Sequence, residues 1–543
     1  MKYCLSILIV LQCFWASAQN KYFIEFTDKD ETPFSIDNPY EFLTARSIER
    51  RVKQNIAITN NDLPVNPEFI ETLKTNGAKI LYTLNWLNGA VAEIDNQSIL
   101  SAVASLPFVS QTIEIYNSAA SKSLLPEFDI LLAAPKKQKN DNYYQYGASA
   151  HQIEMLNGNI LHNNGYRGQG MLVAVLDAGF SNANSISSLS HLWTNERIVL
   201  TRDIVNPQSN IYEEHSHGTT VLTVMASYLP GELVGTAPEA SYALIRCEDA
   251  DSEQLIEEYN WIYAAQIADS IGADVINSSL GYYEFDDAEQ NHTYANMDGI
   301  TTPIAIGANH AASKGMLIVN SVGNEGQSSW GKLITPSDSP NVLAVGAVDS
   351  NGDIAFFSSL GPSSDGRIKP DVVALGYGTA VQSATGQIGT SNGTSLSAPI
   401  ISGFSACLWQ AKPNETARDI LDLILLSSSN FTTPNFELGY GIPNFASAIN
   451  SVDKLFDENK LSIFPNPNNG RFSVWLPQNK TSTYSILVTS AHGAEVMRET
   501  FETNSSIYSF SIPSTESSGL YIVNLMVGSK NYLGKIIKIN SLP

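Results

Sequence analysis

A chain of 543 residues is too long for one compact domain, and three or four units are the natural expectation. The formal net charge of −23 argues against nucleic acid and anionic membrane as partners and favours a self-repelling, soluble surface. An apolar fraction of 43% leaves ample material for buried cores.

The opening stretch, MKYCLSILIVLQCFWASAQN, has the three parts of a secretory signal peptide. Lys2 gives the positive start. Cys4 to Trp15 is an apolar run too short to cross a bilayer, and Ala16-Ser17-Ala18 is a small-residue cleavage site. Residues 1–18 are therefore expected to be removed, with the mature chain starting near Gln19. No later stretch is long and apolar enough for a membrane helix. Cys4 and Cys13 leave with the signal, and Cys247 and Cys407 stay. One pair in so long a chain is no disulfide framework. Cys407 lies in an apolar stretch, which favours a buried free thiol over a Cys247–Cys407 bridge.

Residues 19–115 read as strand (KYFIEFT), a basic helical stretch (NPYEFLTARSIERRVKQN), helix then strand (PEFIETLKTNGAKILYTL), strand (GAVAEI), helix (NQSILSAVASLP) and strand (VSQTIEIY). That order predicts a small α+β unit with an open sheet. Residues 116–148 show no clear periodicity, and PKKQKNDN within them is strongly polar. They are expected to be an exposed linker suited to proteolysis.

From 149 to 452 the pattern changes. Apolar strands (MLVAVLD, ASYALIRCE, ADVINSSLG, MLIVNSVGN, NVLAVGAVD) alternate with helices (TTVLTVMASYL, EEYNWIYAAQIADSIG, AIGANHAASKG). This is the pattern of a parallel sheet covered on both faces, which binds ligands outside the carboxyl ends of its strands. A short linker at 453–460 leads to 461–543. There Phe472, Val474 and Leu476, then Tyr484, Ile486 and Val488, alternate between Gly and Pro turns, which predicts a β-sandwich.

Four residues at element boundaries can carry chemistry. Asp177 ends the strand MLVAVLD, His217 opens the helix after HSHG, Asn324 follows the strand LIVNSVG, and Ser395 stands where TSNGTS turns into an apolar helix. Each has an ordinary structural reading: a capping Asp, a solvated His or a His215-x-His217 metal pair, a turn Asn, a helix-capping Ser. Together they say more. A serine hydroxyl needs a histidine to take its proton, the histidine needs a carboxylate to fix its tautomer, and a tetrahedral oxyanion needs a preorganised donor. Pro399 is tolerable if it falls in the first turn of its helix.

The segments VAVLDAG, HGTTV, SVGN and NGTSLSAP closely resemble the four signature segments of the subtilisin-like serine proteases, over roughly residues 149–452. The resemblance implies an α/β fold: a subtilisin-like, three-layer catalytic domain with a parallel sheet, a small α+β propeptide before it and a C-terminal β-sandwich after it. It implies a secreted serine endopeptidase in which Asp177 orients, His217 is general base then acid, and Ser395 is the nucleophile. Asn324 and the Ser395 backbone N–H would form the oxyanion hole. NSSLG resembles the substrate-binding edge strand, so Ser279, Leu280 and Gly281 would pair with an extended peptide, and Gly281 would leave the first specificity pocket open. Val322 stands where alanine is common, and this is expected to reshape that pocket slightly.

The flanks follow from the same resemblance. Residues 20 to about 115 resemble subtilase propeptides, which aid folding and inhibit. Arg46, Arg50, Arg51 and Lys53 would meet an acidic protease surface or form a solvated face. FPNPNNGRFSV through GKIIKI resembles the type IX secretion sorting domains of some Gram-negative bacteria, which implies export through the periplasm and across the outer membrane. No cofactor is implied for the chemistry. Structural calcium is used by many subtilases, and EDADSE and YYEFDD are acidic enough for it but lack EF-hand spacing. The implied partners are protein or peptide substrates, the chain's own propeptide and the type IX machinery. Two rival readings are a binding protein on a retired protease scaffold, disfavoured by four intact positions, and an esterase, disfavoured by the missing G-x-S-x-G elbow at Ser395.

Overall fold

The computed structural model describes residues 20–118, 125, 127–132, 142–450 and most of 461–538. The expected signal peptide and the 453–460 linker lie outside the described residues. Three units follow one another along the chain.

The first is a four-stranded antiparallel sheet with helices. Its elements are β1 (Asn20–Phe26), α1 (Ala45–Lys53), α2 (Pro67–Thr75), β2 (Lys79–Leu84), β3 (Gly89–Ile94), α3 (Gln97–Ala104) and β4 (Val109–Tyr116), with strand order β2-β3-β1-β4. The helices begin where the sequence supplies caps. Thr44 accepts from the Ser47 amide, Asn66 from Glu68 with Pro67 in the first turn, and Asn96 from Ile99. Strand alternation gives the sheet two buried faces. Ile24 packs with Leu73 and Val103 inside the unit. Phe23, Tyr82, Val91 and Ile115 share a core with the second unit.

A short strand, β5 (Leu131–Leu132), leads into the second unit. Seven parallel strands form its sheet: β6 (Leu172–Asp177), β7 (Ile198–Asp203), β8 (Ser241–Arg246), β9 (Val275–Ser278), β10 (Leu317–Ser321), β11 (Val342–Val348) and β12 (Val372–Leu375). Their order is β12-β11-β10-β9-β6-β8-β7. The sequence pattern did not mark β7 and β12. Both are edges: β7 is half exposed, and β12 has only four residues, so neither reads as a long apolar run. Val173 and Val175 of β6 pack on one face, while Leu172, Ala174 and Leu176 pack on the other. Helices α4 (His217–Ala226) and, after the hairpin β13 (Tyr377–Gln382) and β14 (Ile388–Asn392), α7 (Thr394–Ala411) join the first core. Helices α5 (Ile256–Ile271) and α6 (Pro303–Ser313) join the second, giving three layers. The strand order reverses between β6 and β9, which opens a crevice at their carboxyl ends.

The third unit packs a three-stranded antiparallel sheet (Ile463–Phe464, Arg471–Trp475, Ile507–Ser511) with a four-stranded one (Ser482–Ser490, Glu495–Thr503, Gly519–Val527, Lys530–Lys538). Phe472, Val474, Leu476, Tyr484, Ile486 and Val488 all fall in its core, as their alternation predicts.

The basic stretch of the first unit is only in part a solvated face: Lys53 is exposed, and the arginines meet the second unit. Arg50 and Arg51 are buried, and both reach Asp269 near the end of α5. Arg51 also pairs with Asp62 at 3.0 Å, and Asp62 with Lys314 at 2.9 Å. Arg46 pairs with Asp274 at 2.5 Å. Phe23 lies 4.9 Å from the Tyr259 ring, and Tyr82 stacks on Tyr263 at 4.6 Å. Arg51→Ala in the full chain should therefore destabilise this junction by about 3–5 kcal/mol, because buried carboxylates lose their partner. Urea unfolding followed by tryptophan fluorescence checks this, since Trp86 is buried in the same junction. Acid should act in the same direction. Burial alone would raise the Asp62 carboxyl, but Lys314, the Thr59 amide and Arg51 hold it below its ordinary value. Its contribution is present above the unfolded value of about 3.9 and is lost as pH falls through the lower folded value.

Candidate active site

Asp177 is the last residue of β6 and has no exposed surface. His217 opens α4, and its Nδ1 donates to Asp177 Oδ1 at 2.7 Å, the oxygen that also accepts the Ala178 amide. The pair closes because residue 218 is glycine: a Cβ there would stand 2.5 Å from the Gly179 carbonyl and 2.9 Å from Asp177 Cβ. Burial disfavours the His217 cation, but Asp177 outweighs that and holds the imidazole above its ordinary value. His215 does not join His217 as a metal pair. Its Nδ1 accepts the His217 amide, and its Nε2 faces Glu127 at 3.4 Å.

Ser395 is not a helix cap. Gly393 holds that position, and Ser395 sits within the first turn of α7. Pro399 consequently lies in the second turn, not the first, and lacks the N–H that would meet the Ser395 carbonyl. Ser279 takes over that bond: its hydroxyl donates to the Ser395 carbonyl at 2.9 Å, and Ser395 Oγ donates to the Ser279 carbonyl at 3.3 Å. On the other flank, Asn324 Oδ1 accepts both the amide and the hydroxyl of Thr394, at 2.9 and 3.0 Å. Asn324 itself lines the cleft beside Ser395.

His217, Ser279, Asn324, Thr394 and Ser395 line one cleft of about 480 Å³, with Leu280, Gly281, Gly323 and Ile334, and Asp177 lies buried behind His217. Chemically, it offers a hydroxyl, an imidazole made basic by a carboxylate, and an amide donor. A profile of the subtilase family matches residues 168–441. Subtilisin NAT of Bacillus subtilis subsp. natto is 30% identical over 314 residues, covering 56% of this chain and 72% of that protein. Subtilisin of Bacillus pumilus is 29% identical over 304 residues, or 54% of this chain and 97% of that protein. Human (Homo sapiens) membrane-bound transcription factor site-1 protease is 28% identical over 264 residues, 46% of this chain and 22% of that protein. The chain belongs to the subtilase family. It is a serine endopeptidase. Two further profiles match its flanks: the Bacteroidota propeptide domain of peptidase family S8 over residues 21–127, and a secretion system C-terminal sorting domain over 462–540.

In this subtilase the stretch expected to be an exposed linker partly enters the cleft. The Leu125 amide donates to the Ala250 carbonyl at 2.9 Å. Glu127 accepts from the Ser216 hydroxyl, and the Phe128 ring stacks on His217 with centroids 4.7 Å apart. Ser391 Oγ donates to the Asp129 carbonyl at 2.7 Å, and β5 pairs antiparallel with β14, Leu131 opposite Thr390. The strap therefore runs past His217 and Ser395. Among the described residues, no hydrogen bond joins Ser395 Oγ to His217.

Val322, expected to reshape the substrate pocket, does not face it. It packs instead with Met297, Leu333 and Ala344. Glu248, from EDADSE, lines the cleft and takes the Tyr282 hydroxyl at 2.5 Å. Burial, with help from Asp177, pushes its carboxyl up to about 7. Other acidic groups of these runs are engaged by protein donors. Asp286 accepts from the Glu253 amide and Gln254 Nε2, and Asp287 from the Glu289 amide. Among the described residues no three His, Cys, Asp or Glu side chains gather as a metal site. Cys247 and Cys407 are buried and free, and the Cys407 thiol lies 3.2 Å from the Thr236 carbonyl. Ser279→Ala should leave the Ser395 carbonyl without a partner and destabilise the domain by about 1–3 kcal/mol. Calorimetric melting checks this, and Ser279→Thr should recover part of the loss.

Proposed function

We propose that Ser395 is the nucleophile, His217 the base and then acid, and Asp177 the group that fixes the imidazole tautomer. The observation that carries this reading is the 2.7 Å Asp177–His217 bond in the cleft that also holds Ser395. With Nδ1–H committed to Asp177, Nε2 is left as the proton acceptor. Attack by Ser395 Oγ on a peptide carbonyl gives a tetrahedral oxyanion. Asn324 Nδ2 and the Ser395 amide stabilise it, the proton passes through His217 to the leaving amine, and water then hydrolyses the acyl-enzyme. Ser279, Leu280 and Gly281 pair with the substrate backbone. The chemistry needs no metal or cofactor.

The subtilase is made as a zymogen in this reading. Residues 1–18 are the signal, 19–115 the inhibitory unit, 116–148 the region that is cut, 149–452 the peptidase, 453–460 a linker and 461–543 the sorting domain. Support for the cut region comes from the strap: it stacks Phe128 on His217 and occupies β14 where a substrate would run. The propeptide match ends at Glu127, within that strap. Export through the periplasm and the outer membrane, with release or surface attachment, follows from the sorting domain.

The decisive experiment treats secreted wild type and Ser395→Ala with a fluorophosphonate and reads intact mass. Wild type should be labelled and shortened from its N-terminus; Ser395→Ala should be unlabelled and retain the first unit. A folded, shortened and unlabelled wild type would sink the assignment. Asp177→Asn should lower kcat by about 10⁴-fold. Asn324→Ala should lower it on the order of 10²–10³-fold, a magnitude carried over from other subtilisins. The pH profile has a defined sign. His217 must be neutral to accept the proton, so kcat/KM should fall as pH drops, with a midpoint above the ordinary histidine value of about 6.5.

A further inference from the structure

The space beneath Ser395 is bounded by two strand ends. Ser279–Gly281 follows β9, and Gly323–Asn324 follows β10, and all of these residues line the cleft. On the triad reading, a substrate carbonyl attacked by Ser395 Oγ would lie between the Ser279 carbonyl, 3.3 Å from that hydroxyl, and the Asn324 side chain. The side chain on the acyl side of the bond must then descend between Gly281 and Gly323. Both glycines leave room there, but the room is already taken. A Cβ on Gly281 would stand 2.7 Å from Ile334 Cδ1, and a Cβ on Gly323 would stand 2.9 Å from the same atom. One methyl group is therefore lodged against both walls at once.

Ile334 is held there firmly. Its amide donates to the Val322 carbonyl at 3.2 Å, and its carbonyl accepts the Ser337 hydroxyl at 2.5 Å. Only 8% of its surface is exposed. A β-branched side chain has few rotamers with which to withdraw, and a packed interior does not yield a phenyl-sized volume without strain.

We infer that Ile334 is the specificity-determining residue of this subtilase, closing the first pocket so that it cuts after small residues such as alanine and rejects large aromatic ones. The inference rests on the triad reading above, and it narrows the substrates of that site to peptides with a small side chain before the cut bond.

The test uses the secreted, matured enzyme and two tetrapeptide p-nitroanilides that differ only in alanine or phenylalanine next to the anilide. Wild type should favour alanine in kcat/KM by about tenfold or more, since even single-methylene differences in such pockets are worth about 10–200-fold. Ile334→Gly should shift the Phe/Ala ratio towards phenylalanine by at least about tenfold. Ile334→Ala should shift it less and in the same direction, and it serves if the glycine variant does not fold. A purely structural role would lower both substrates together and leave the ratio unmoved. Equal turnover of the two substrates by wild type, or an unchanged ratio in a folded, fluorophosphonate-labelled variant, overturns the inference and leaves the triad standing. A wild type that is neither labelled nor active on either substrate overturns the triad reading, and this inference with it.

Discussion

A helix buried along almost its whole length must find partners for the polar groups at its N-terminal end, because water does not reach them. Helix α7 is such a helix, with Thr394 to Trp409 all buried. Its first turn is satisfied in part by the ends of neighbouring strands, while the Leu396 amide bonds the Gly393 carbonyl. Asn324, beyond β10, takes the Thr394 amide, and Ser279, beyond β9, takes the carbonyl orphaned by Pro399. The reciprocal bond from Ser395 Oγ to the Ser279 carbonyl closes the set. Capping a buried helix thus fixes, in one step, the hydroxyl, the amide donor and the strand end that borders the first pocket.

The same logic explains how the first unit is firmly seated. Its apolar contacts come from one face of an antiparallel sheet laid on α5. Its arginines add a buried ionic network around Asp269 and Asp62. Buried ion pairs contribute little net stability against an apolar replacement, but they punish misplacement severely, since each unpaired charge would be stranded. The network therefore selects one docked orientation.

Much of this was legible in the sequence. Long apolar strands and strand-end residues announce a parallel sheet with its site at one end, and Asp177, His217 and Ser395 stand where that logic puts them. What escaped has physical reasons. The strap has no periodicity because its pairing with β14 and Ala250 runs through the main chain, which any side chains can satisfy. Arg50 and Arg51 could not be told from a solvated face because Asp269 lies more than 200 residues further on. Val322 packs away from the cleft that Ser321 and Gly323 line, a side that the residue type alone does not reveal. Ile334 was invisible because its role depends on two glycines from separate strands meeting around one methyl group.

The strap also constrains how the cleft can work. It pairs with β14 through backbone bonds, lays Phe128 on the imidazole and lines the same cleft as Ser279–Gly281. On the proposed reading, strap and substrate would compete for that cleft. Release requires no new chemistry. Once Phe128 leaves, the His217 ring is uncovered while its bond to Asp177 persists, because that bond depends on β6, α4 and Gly218 and not on the strap. In the proposed mechanism Ser395 Oγ would exchange the Ser279 carbonyl for His217 Nε2. The bond that orients the imidazole is thus built by the scaffold and not by the strap.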